Sequence, residues 1–263
     1  MNNLDMREYI INLLEHGHRI DGRKLDELRK PIEIKVNVSK NAEGSSNVKI
    51  GSTEVMAGIK MAVGEPFADS PDQGVLMVGV ELLPLSSPEF ESGPPDEWAT
   101  EMARVVDRGI RESKMIDMKK LCIREGELVW MIFLDLYTIN DDGNLIDACA
   151  LAAISALKTA VFPVLEKDKV KFGEFTKNKL PITKIPVTCT LTKIGPHFIV
   201  DANTKEEKAS DARISICLIE NNNICAMQKG GGSGIEIDDL KKVFSIVKDK
   251  TKELRSLVTT AAK

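Results

Sequence analysis

The sequence has few aromatic residues: Phe, Trp and Tyr together account for 5% of its 263 residues. Its core must therefore be built mainly from aliphatic side chains and methionine, and few rings are available for stacking on nucleic-acid bases. Hydrophobic residues still make up 43% of the chain and charged residues 29%, which excludes a disordered or low-complexity chain. The length allows one large domain or two small ones.

Cysteine and histidine are scarce as well. The five cysteines are scattered and form no Cys-x-x-Cys pair, which argues against a disulfide framework or a zinc site and predicts a reducing, cytoplasmic location. Of the three histidines, His16 and His18 lie close together without a third ligand nearby, so we interpret them as a surface pair and expect no metal. So few histidines also argue against a nucleophilic triad.

Long apolar runs and an excess of positive charge are both missing. No run approaches the ~18 residues that a membrane-spanning helix requires, so no membrane partner is expected. Lys and Arg number 36 and Asp and Glu number 40, which gives a formal net charge of −4. This balance excludes a basic field over the whole surface, so any contact with nucleic acid has to depend on local positive charge.

The sequence does contain an alternation of strand and helix patterns. Period-2 and β-branched segments predict strands, and segments of helical period follow them. The predicted strands are Ile32–Val38, Asn47–Ile50, Glu54–Val63, Val75–Leu83, Leu128–Ile139, Ile185–Leu191, His197–Val200, Arg213–Glu220 and Ile224–Gln228, and the predicted long helices are Trp98–Met115, Asp147–Phe162 and one that begins at Asp238. This order predicts an α+β fold.

The same patterns divide the chain into four parts. We expect an N-terminal arm at residues 1–30, a first half at 31–164, a charged connecting segment at 165–183, and a second half with a C-terminal helix at 184–263. The residues Glu43–Ser46 have the composition of a turn between two strands. The glycine-rich stretch Lys229–Gly234 lacks the Gly-Lys-Ser/Thr ending of a phosphate-binding loop, so we predict a flexible connector and disfavour a kinase.

The predicted helix Trp98–Met115 carries three arginines on one side. At about 100° per residue, Arg104, Arg108 and Arg111 fall within about 60° of each other, opposite the apolar face. One interpretation is a solvated face on which the arginines pair with acidic residues three or four positions away, namely Glu101, Asp107 and Glu112. The other is a row of forked donors for the phosphates of a single strand or the carboxylates of a partner.

A second group of candidates consists of four carboxylates in the second half. Asp201, Glu206, Glu207 and Asp211 lie between two predicted strands. Paired acids can hold a metal ion or perform acid–base chemistry. Because lysines are interspersed among them, we interpret the segment as a solvated charged loop.

Several motifs occur along the chain from about Arg19 to the final helix: Arg19–Arg23, Glu43–Ser46, Ile50–Val55, Gly64–Phe67, Val80–Leu82, Ser92–Glu97, Ala103–Ser113 and Asp142–Ala148. Taken together, these motifs resemble the RNase PH family of phosphorolytic exoribonucleases. Within that family the similarity is closer to the non-catalytic RNase PH-like ring subunit of the archaeal exosome.

The resemblance implies the RNase PH fold, with two related β/α halves. It implies that the chain pairs with a catalytic RNase PH-like sister subunit and that three such heterodimers form a hexameric ring, which admits single-stranded RNA and is capped by RNA-binding subunits. The implied reaction of the complex is 3′-to-5′ phosphorolysis. Inorganic phosphate is then the co-substrate in the sister subunit's site, and no cofactor is expected in this chain.

This chain departs from the pattern that the active members share. Their phosphate-binding hydroxyl and guanidinium are replaced by Leu145 and Ile146, and their Gly-Arg loop reads Gly93-Pro94. Of their acidic pair, only the second position keeps an acid, Asp211. The resemblance therefore implies a subunit without catalytic residues. The alternative is an active RNase PH-type exoribonuclease that uses Asp201 or Asp211 as its acid.

The arginines of the helix motif match the family pattern. The resemblance places Arg104, Arg108 and Arg111 where the family's helix faces the neighbouring subunit and the RNA path. We therefore expect these three residues to bind RNA phosphates and to complete the active site of the sister subunit.

Overall fold

The chain folds into two large β-sheets and a separate two-stranded hairpin, and three of its helices pack between the two large sheets. The structure, a computed structural model, describes residues 3–262, in which five α-helices and twelve strands occur. In chain order they are α1 (Asn3–Glu15), β1 (Ile32–Val36), β2 (Gly44–Ile50), β3 (Thr53–Gly64), β4 (Val75–Glu81), α2 (Glu97–Glu112), β5 (Cys122–Arg124), β6 (Leu128–Asn140), α3 (Leu145–Thr159), β7 (Val161–Glu166), β8 (Lys169–Lys179), β9 (Val187–Ile194), β10 (His197–Val200), α4 (Thr204–Lys208), β11 (Ala212–Leu218), β12 (Ile224–Gly231) and α5 (Ile237–Ala261).

The first sheet has the strand order β1-β2-β3-β6-β4, and β5 pairs with β6. Its strands are antiparallel except for β4 and β6, which run parallel because helix α2 provides the crossover between them. Alternate residues of β3, such as Val55, Ala57 and Ile59, are fully buried, and the same alternation along β6 buries Ile132 and Leu134. The sheet therefore has one face on the core, as the period-2 pattern predicts.

Helix α3 lies between the two sheets. It packs on β2 and β3 of the first half and on β9 of the second, and every residue from Leu145 to Leu157 is buried. A helix that is apolar on all sides needs such a position, because no face of it is suited to water. Gly44 of β2 allows the close approach: a Cβ there would lie 2.6 Å from the carbonyl oxygen of Ala156.

The second sheet has the strand order β10-β9-β11-β12 and is entirely antiparallel. Helix α5 packs on it, and on α3 and β1 as well, which joins the second half to the first. The buried residues of α5 recur at intervals of three, four and seven, as expected for an amphipathic helix; they are Val243, Val247, Thr251, Leu254 and Val258.

The N-terminal arm packs on the second half. Ile10 and Leu14 of α1 form a small separate cluster with Ile194 and Ile199. The predicted arm, residues 1–30, includes residues 1 and 2, which lie outside the described residues, and the predicted second half likewise includes residue 263. Within residues 3–262, no helix is long and apolar enough to cross a membrane.

Three predicted loops form regular structure instead. Glu43–Ser46 is not a turn, because β2 already begins at Gly44 and pairs with β3. The connecting segment contains β8, which forms a hairpin with β7. Most residues of β8 are exposed, so its sequence has no hydrophobic alternation to reveal the strand. The first residues of the glycine-rich stretch belong to β12, where Gly230 and Gly231 pair with β11.

Candidate functional site

Helix α2 is fixed in position by its cap and its apolar face. Asp96 accepts a hydrogen bond from the backbone N–H of Ala99 at 2.7 Å, which satisfies a free donor in the first turn. The buried residues Met102, Val106 and Ile110 face β4 and the core. The opposite side of α2 therefore faces solvent.

The structure brings all three predicted arginines together on that exposed side of α2. Arg104 and Arg108 line an open cleft against β12, and Arg104 and Arg111 line a second cleft against β4. Arg104 is thus common to both clefts. The predicted grouping of Arg104, Arg108 and Arg111 on one helix face is confirmed, while their contact with RNA stays a prediction.

Arg111 has the helical ion pair that its spacing predicts. Its Nη2 lies 2.8 Å from Oδ1 of Asp107 and also donates to the carbonyl oxygen of Leu76 at 3.2 Å. The hydrogen bond to Asp107 raises the pKa of Arg111, against the opposing effect of burial. Arg111 is therefore partly neutralised and is held against the edge of β4.

The other two predicted helical ion pairs are wrong. Glu101 pairs with Arg213 of β11, at 2.6 Å between Oε2 and Nη2, rather than with Arg104. Arg108 donates to Oε1 of Gln228 at 2.6 Å rather than to Glu112. Within residues 3–262, no carboxylate forms an ion pair with Arg104 or Arg108, so the positive charge of neither guanidinium is compensated by a neighbouring acid.

The positions that bind phosphate in active family members are closed here. Leu145 and Ile146 are 3% and 2% exposed and belong to the main hydrophobic core, so they cannot donate to an anion. Gly93 and Pro94 lie in an exposed loop. The cleft beside that loop is lined by carboxylates, whose negative charge disfavours phosphate; they are Glu81, Glu89, Glu91 and Asp96.

The carboxylates of the second half do not form a solvated loop, so that prediction is wrong. Thr204–Lys208 is helix α4, capped by Asn203, and Glu206 is fully buried with Oε1 2.9 Å from Nε of Arg19. Asp201 is also fully buried and accepts hydrogen bonds from Arg29. Burial alone would raise the pKa of Asp201, but the hydrogen bonds and the charge of Arg29 outweigh it and hold that pKa below its usual value.

Glu207 and Asp211 also have structural partners. Oε1 of Glu207 accepts from the backbone N–H of Asn144 at 2.8 Å. Asp211 accepts from Nη2 of Arg7 at 2.8 Å and from the backbone N–H of Gly195 at 2.7 Å, which ties α1 to the second sheet. These contacts, like those of Asp201, connect parts of the fold and disfavour the alternative in which Asp201 or Asp211 is a catalytic acid.

Sequence reasoning missed Asp147 and its buried polar chain. Its Oδ1 lies 2.7 Å from Oγ1 of Thr190, which is 2.8 Å from Oγ of Ser215, and its Oδ2 accepts from the backbone N–H of Thr190 at 2.9 Å. Burial raises the pKa of Asp147 to about 7, although the hydrogen bonds oppose the shift. No local pattern marks this group, because its partners lie on strands far along the chain.

Models of known families account for both halves of the chain. The 3′ exoribonuclease family, domain 1, matches residues 28–163, and domain 2 of the same family matches residues 184–249. The chain belongs to the RNase PH family of 3′ exoribonucleases. The α+β fold with two related halves, expected from the sequence, is the RNase PH fold.

Relatives of this RNase PH family member are similar over nearly the whole chain. "Exosome complex component Rrp42" of Methanothermobacter thermautotrophicus is 47% identical over 253 residues, which is 94% of this chain and 92% of that protein. "Exosome complex component Rrp42" of Thermococcus gammatolerans is 45% identical over 260 residues, or 97% and 94% of the two chains.

Solved structures agree with this family assignment. A chain of the structure "archaeoglobus fulgidus exosome with RNA bound to the active site" superposes with a TM-score of 0.88 at 43% identity and covers 97% of this chain and 98% of its own. A chain of "Archaeal exosome core" gives a TM-score of 0.87 at 40% identity, with coverages of 98% and 97%.

Proposed function

We propose that this RNase PH family member is the non-catalytic, Rrp42-type ring subunit of an archaeal exosome, which degrades RNA from 3′ to 5′. In the proposed role, Arg104, Arg108 and Arg111 bind backbone phosphates of single-stranded RNA and complete the active site of a catalytic sister subunit. The observation that carries this role is the exposure of Arg104 and Arg108 on α2 without a carboxylate partner within residues 3–262.

The chemistry of the three side chains suits a phosphate backbone. A guanidinium is planar, stays charged at any physiological pH and can donate two parallel hydrogen bonds to one phosphate. Contacts of this kind carry no base information, and the chain offers few aromatic side chains for stacking. Binding by this surface should therefore be weakly sequence-selective and strongly dependent on salt.

The replacement of the family's phosphate donors by Leu145 and Ile146 supports the non-catalytic role. Leu145 and Ile146 fill the core where active members have donors.

In the proposed assembly, three heterodimers with the sister subunit form a hexameric ring under RNA-binding cap subunits, and inorganic phosphate is the co-substrate in the sister's site. The five free thiols fit the proposed cytoplasmic location. The two family models and the two sheets support the proposed halves, 31–164 and 184–263.

The test uses the ring reconstituted with the sister subunit. Arg104→Ala, Arg108→Ala and Arg111→Ala, made singly, should weaken binding of an oligoadenylate RNA and slow its phosphorolysis, by about tenfold or more for each lost charged contact. Arg124→Ala is the matched control, because it removes an exposed guanidinium that lies outside α2 and pairs with Asp168. Unchanged affinity and rate in all three α2 variants would contradict the proposed role of these arginines.

A second measurement addresses the alternative of an active exoribonuclease. The purified chain alone, incubated with the same RNA and inorganic phosphate, should release no nucleoside diphosphates. The ring should release them at a phosphate-dependent rate. Release of nucleoside diphosphates by the single chain would support the alternative and contradict the non-catalytic role.

A further inference from the structure

Two side chains of the second half contact charged residues of helix α2. Arg213 lies on β11 and Gln228 on the adjacent strand β12, which packs against α2. We propose that both are positioning residues: Arg213 withholds Glu101 from Arg104, and Gln228 orients Arg108 without neutralising it. The inference rests on the proposed function, because it explains how the same arginines remain available for RNA phosphates.

Arg213 is held beside Glu101 by two close contacts of its guanidinium, with Trp98 and with Gly230. One face lies over the ring of Trp98, with 4.5 Å between Cζ and the ring centroid. The guanidinium also lies against Gly230, where an added Cβ would be 2.7 Å from Cζ, so a larger residue would displace it. The ion pair with Glu101 is therefore formed by a side chain with little freedom to move.

The consequence for Arg104 follows from helix geometry. Glu101 and Arg104 are three residues apart on α2, a spacing at which opposite charges attract and pair. Arg213 engages Glu101 instead, and no other carboxylate within the described residues pairs with Arg104. Arg104 thus keeps its charge at the place where the two clefts of α2 meet.

Gln228 acts on Arg108 in a different way. Its amide oxygen accepts a hydrogen bond from Nη2 of Arg108 at 2.6 Å, and its Nε2 lies 3.5 Å from Oε1 of Glu101. A neutral amide can fix the direction of a guanidinium but cancels none of its charge, whereas a carboxylate in the same place would. Gln228, Arg104 and Arg108 line the same cleft, so the oriented guanidinium faces the proposed RNA surface.

The first test measures binding of a fluorescent oligoadenylate RNA to the reconstituted ring without phosphate, so that no RNA is degraded. Arg213→Ala should weaken binding about as much as Arg104→Ala and should reduce the slope of log affinity against log salt by roughly 0.7, the value for one lost phosphate contact with a single strand. Adding Glu101→Gln to Arg213→Ala should restore both quantities, because the competing carboxylate is gone.

The matched control is Glu97→Gln in the Arg213→Ala background. Glu97 lines the same cleft of α2, so this change restores the same net charge but does not remove the carboxylate three residues from Arg104. It should restore little of the affinity. Equal rescue by Glu97→Gln and Glu101→Gln would show a general charge effect and overturn the inference for Arg213.

The second test concerns Gln228, which lies on the edge strand of its sheet and tolerates substitution better than a core residue. Gln228→Leu should weaken RNA binding in the wild-type ring but cause no further loss in the Arg108→Ala background. Gln228→Glu should weaken binding as well, since it keeps the acceptor and adds a negative charge. Equal losses from Gln228→Leu with and without Arg108 would overturn the positioning role of Gln228. If Arg213→Ala fails to fold, Arg213→Gln replaces it in the first test.

The experiments separate this inference from the proposed function. If Arg104→Ala and Arg108→Ala weaken RNA binding while Arg213→Ala and Gln228→Leu do not, the proposed RNA surface stands and the positioning role is wrong. If Arg104→Ala and Arg108→Ala have no effect on binding, the proposed RNA surface and the positioning role are both wrong.

Discussion

The guanidinium of Arg29 and the carboxylate of Asp201 connect the two halves of the molecule. Nη2 of Arg29 lies 2.8 Å from Oδ1 of Asp201 and Nε lies 3.0 Å from Oδ2, while the backbone N–H of Arg29 donates to Oδ2 at 2.6 Å. Nη2 also donates to the carbonyl oxygen of Gly143 at 3.0 Å, in the loop before α3. Arg29 precedes β1 and Asp201 follows β10, so one buried side chain joins the arm, the first half and the second half.

Removing this arginine should destabilise the fold strongly. Arg29→Met leaves the carboxylate of Asp201 buried with only Arg23, whose Nη1 lies 3.3 Å from Oδ2, as a cationic partner. Breaking the buried pair with Arg29 should cost up to about 3–5 kcal/mol of the free energy of unfolding. Urea unfolding of the purified chain at pH 7, followed by tryptophan fluorescence, measures the change. The control Arg124→Met removes an exposed arginine from its pair with Asp168 and should leave the unfolding midpoint nearly unchanged. Similar midpoints for the two variants would contradict this account of Arg29.

Asp147 should make the stability depend on pH with a sign opposite to that of most carboxylates. Its pKa is about 7 in the folded protein, against 3.8 for an ordinary aspartate, because the side chain is buried. Between those values the folded state keeps a proton that the unfolded state has released. The raised pKa of Asp147 therefore adds roughly 4 kcal/mol to the free energy of unfolding below about pH 4. This contribution is lost as the pH rises to 7.

Asp147→Asn should remove that dependence. Asparagine has the shape of the protonated acid: its oxygen can accept from the backbone N–H of Thr190, and its amide can donate to Oγ1 of Thr190, which in turn donates to Ser215. Relative to wild type, the variant should gain stability between pH 4 and pH 8, as measured by urea unfolding across that range. Asp249→Asn, on the exposed side of α5, is the control and should follow the wild-type profile. A profile for Asp147→Asn parallel to that of wild type would contradict the raised pKa.

Local periodicity predicted the parts of the fold that depend on neighbouring residues. The pattern of α2 is strongly amphipathic and begins after a capping Asp96, so both its existence and its arginine face could be predicted. The partners of those arginines could not, because Arg108 contacts Gln228 across 120 positions of sequence. For the same reason the buried pair of Arg19 and Glu206, 187 positions apart, has no signature in any local window.

Gly44 lies where helix α3 packs against the first sheet. A Cβ at Gly44 would lie 2.6 Å from the carbonyl oxygen of Ala156 and 2.8 Å from Cβ of Ala160, so Gly44→Ala must push β2 away from α3 and should cost about 1–3 kcal/mol. Gly58→Ala is the matched control, because Gly58 pairs with Ser45 in the same sheet and its added Cβ would meet nothing within 4 Å. Gly58→Ala should change the free energy of unfolding by no more than about 1 kcal/mol, in the stabilising direction. Equal effects of the two substitutions in urea unfolding would show that α3 does not pack against β2 as closely as described.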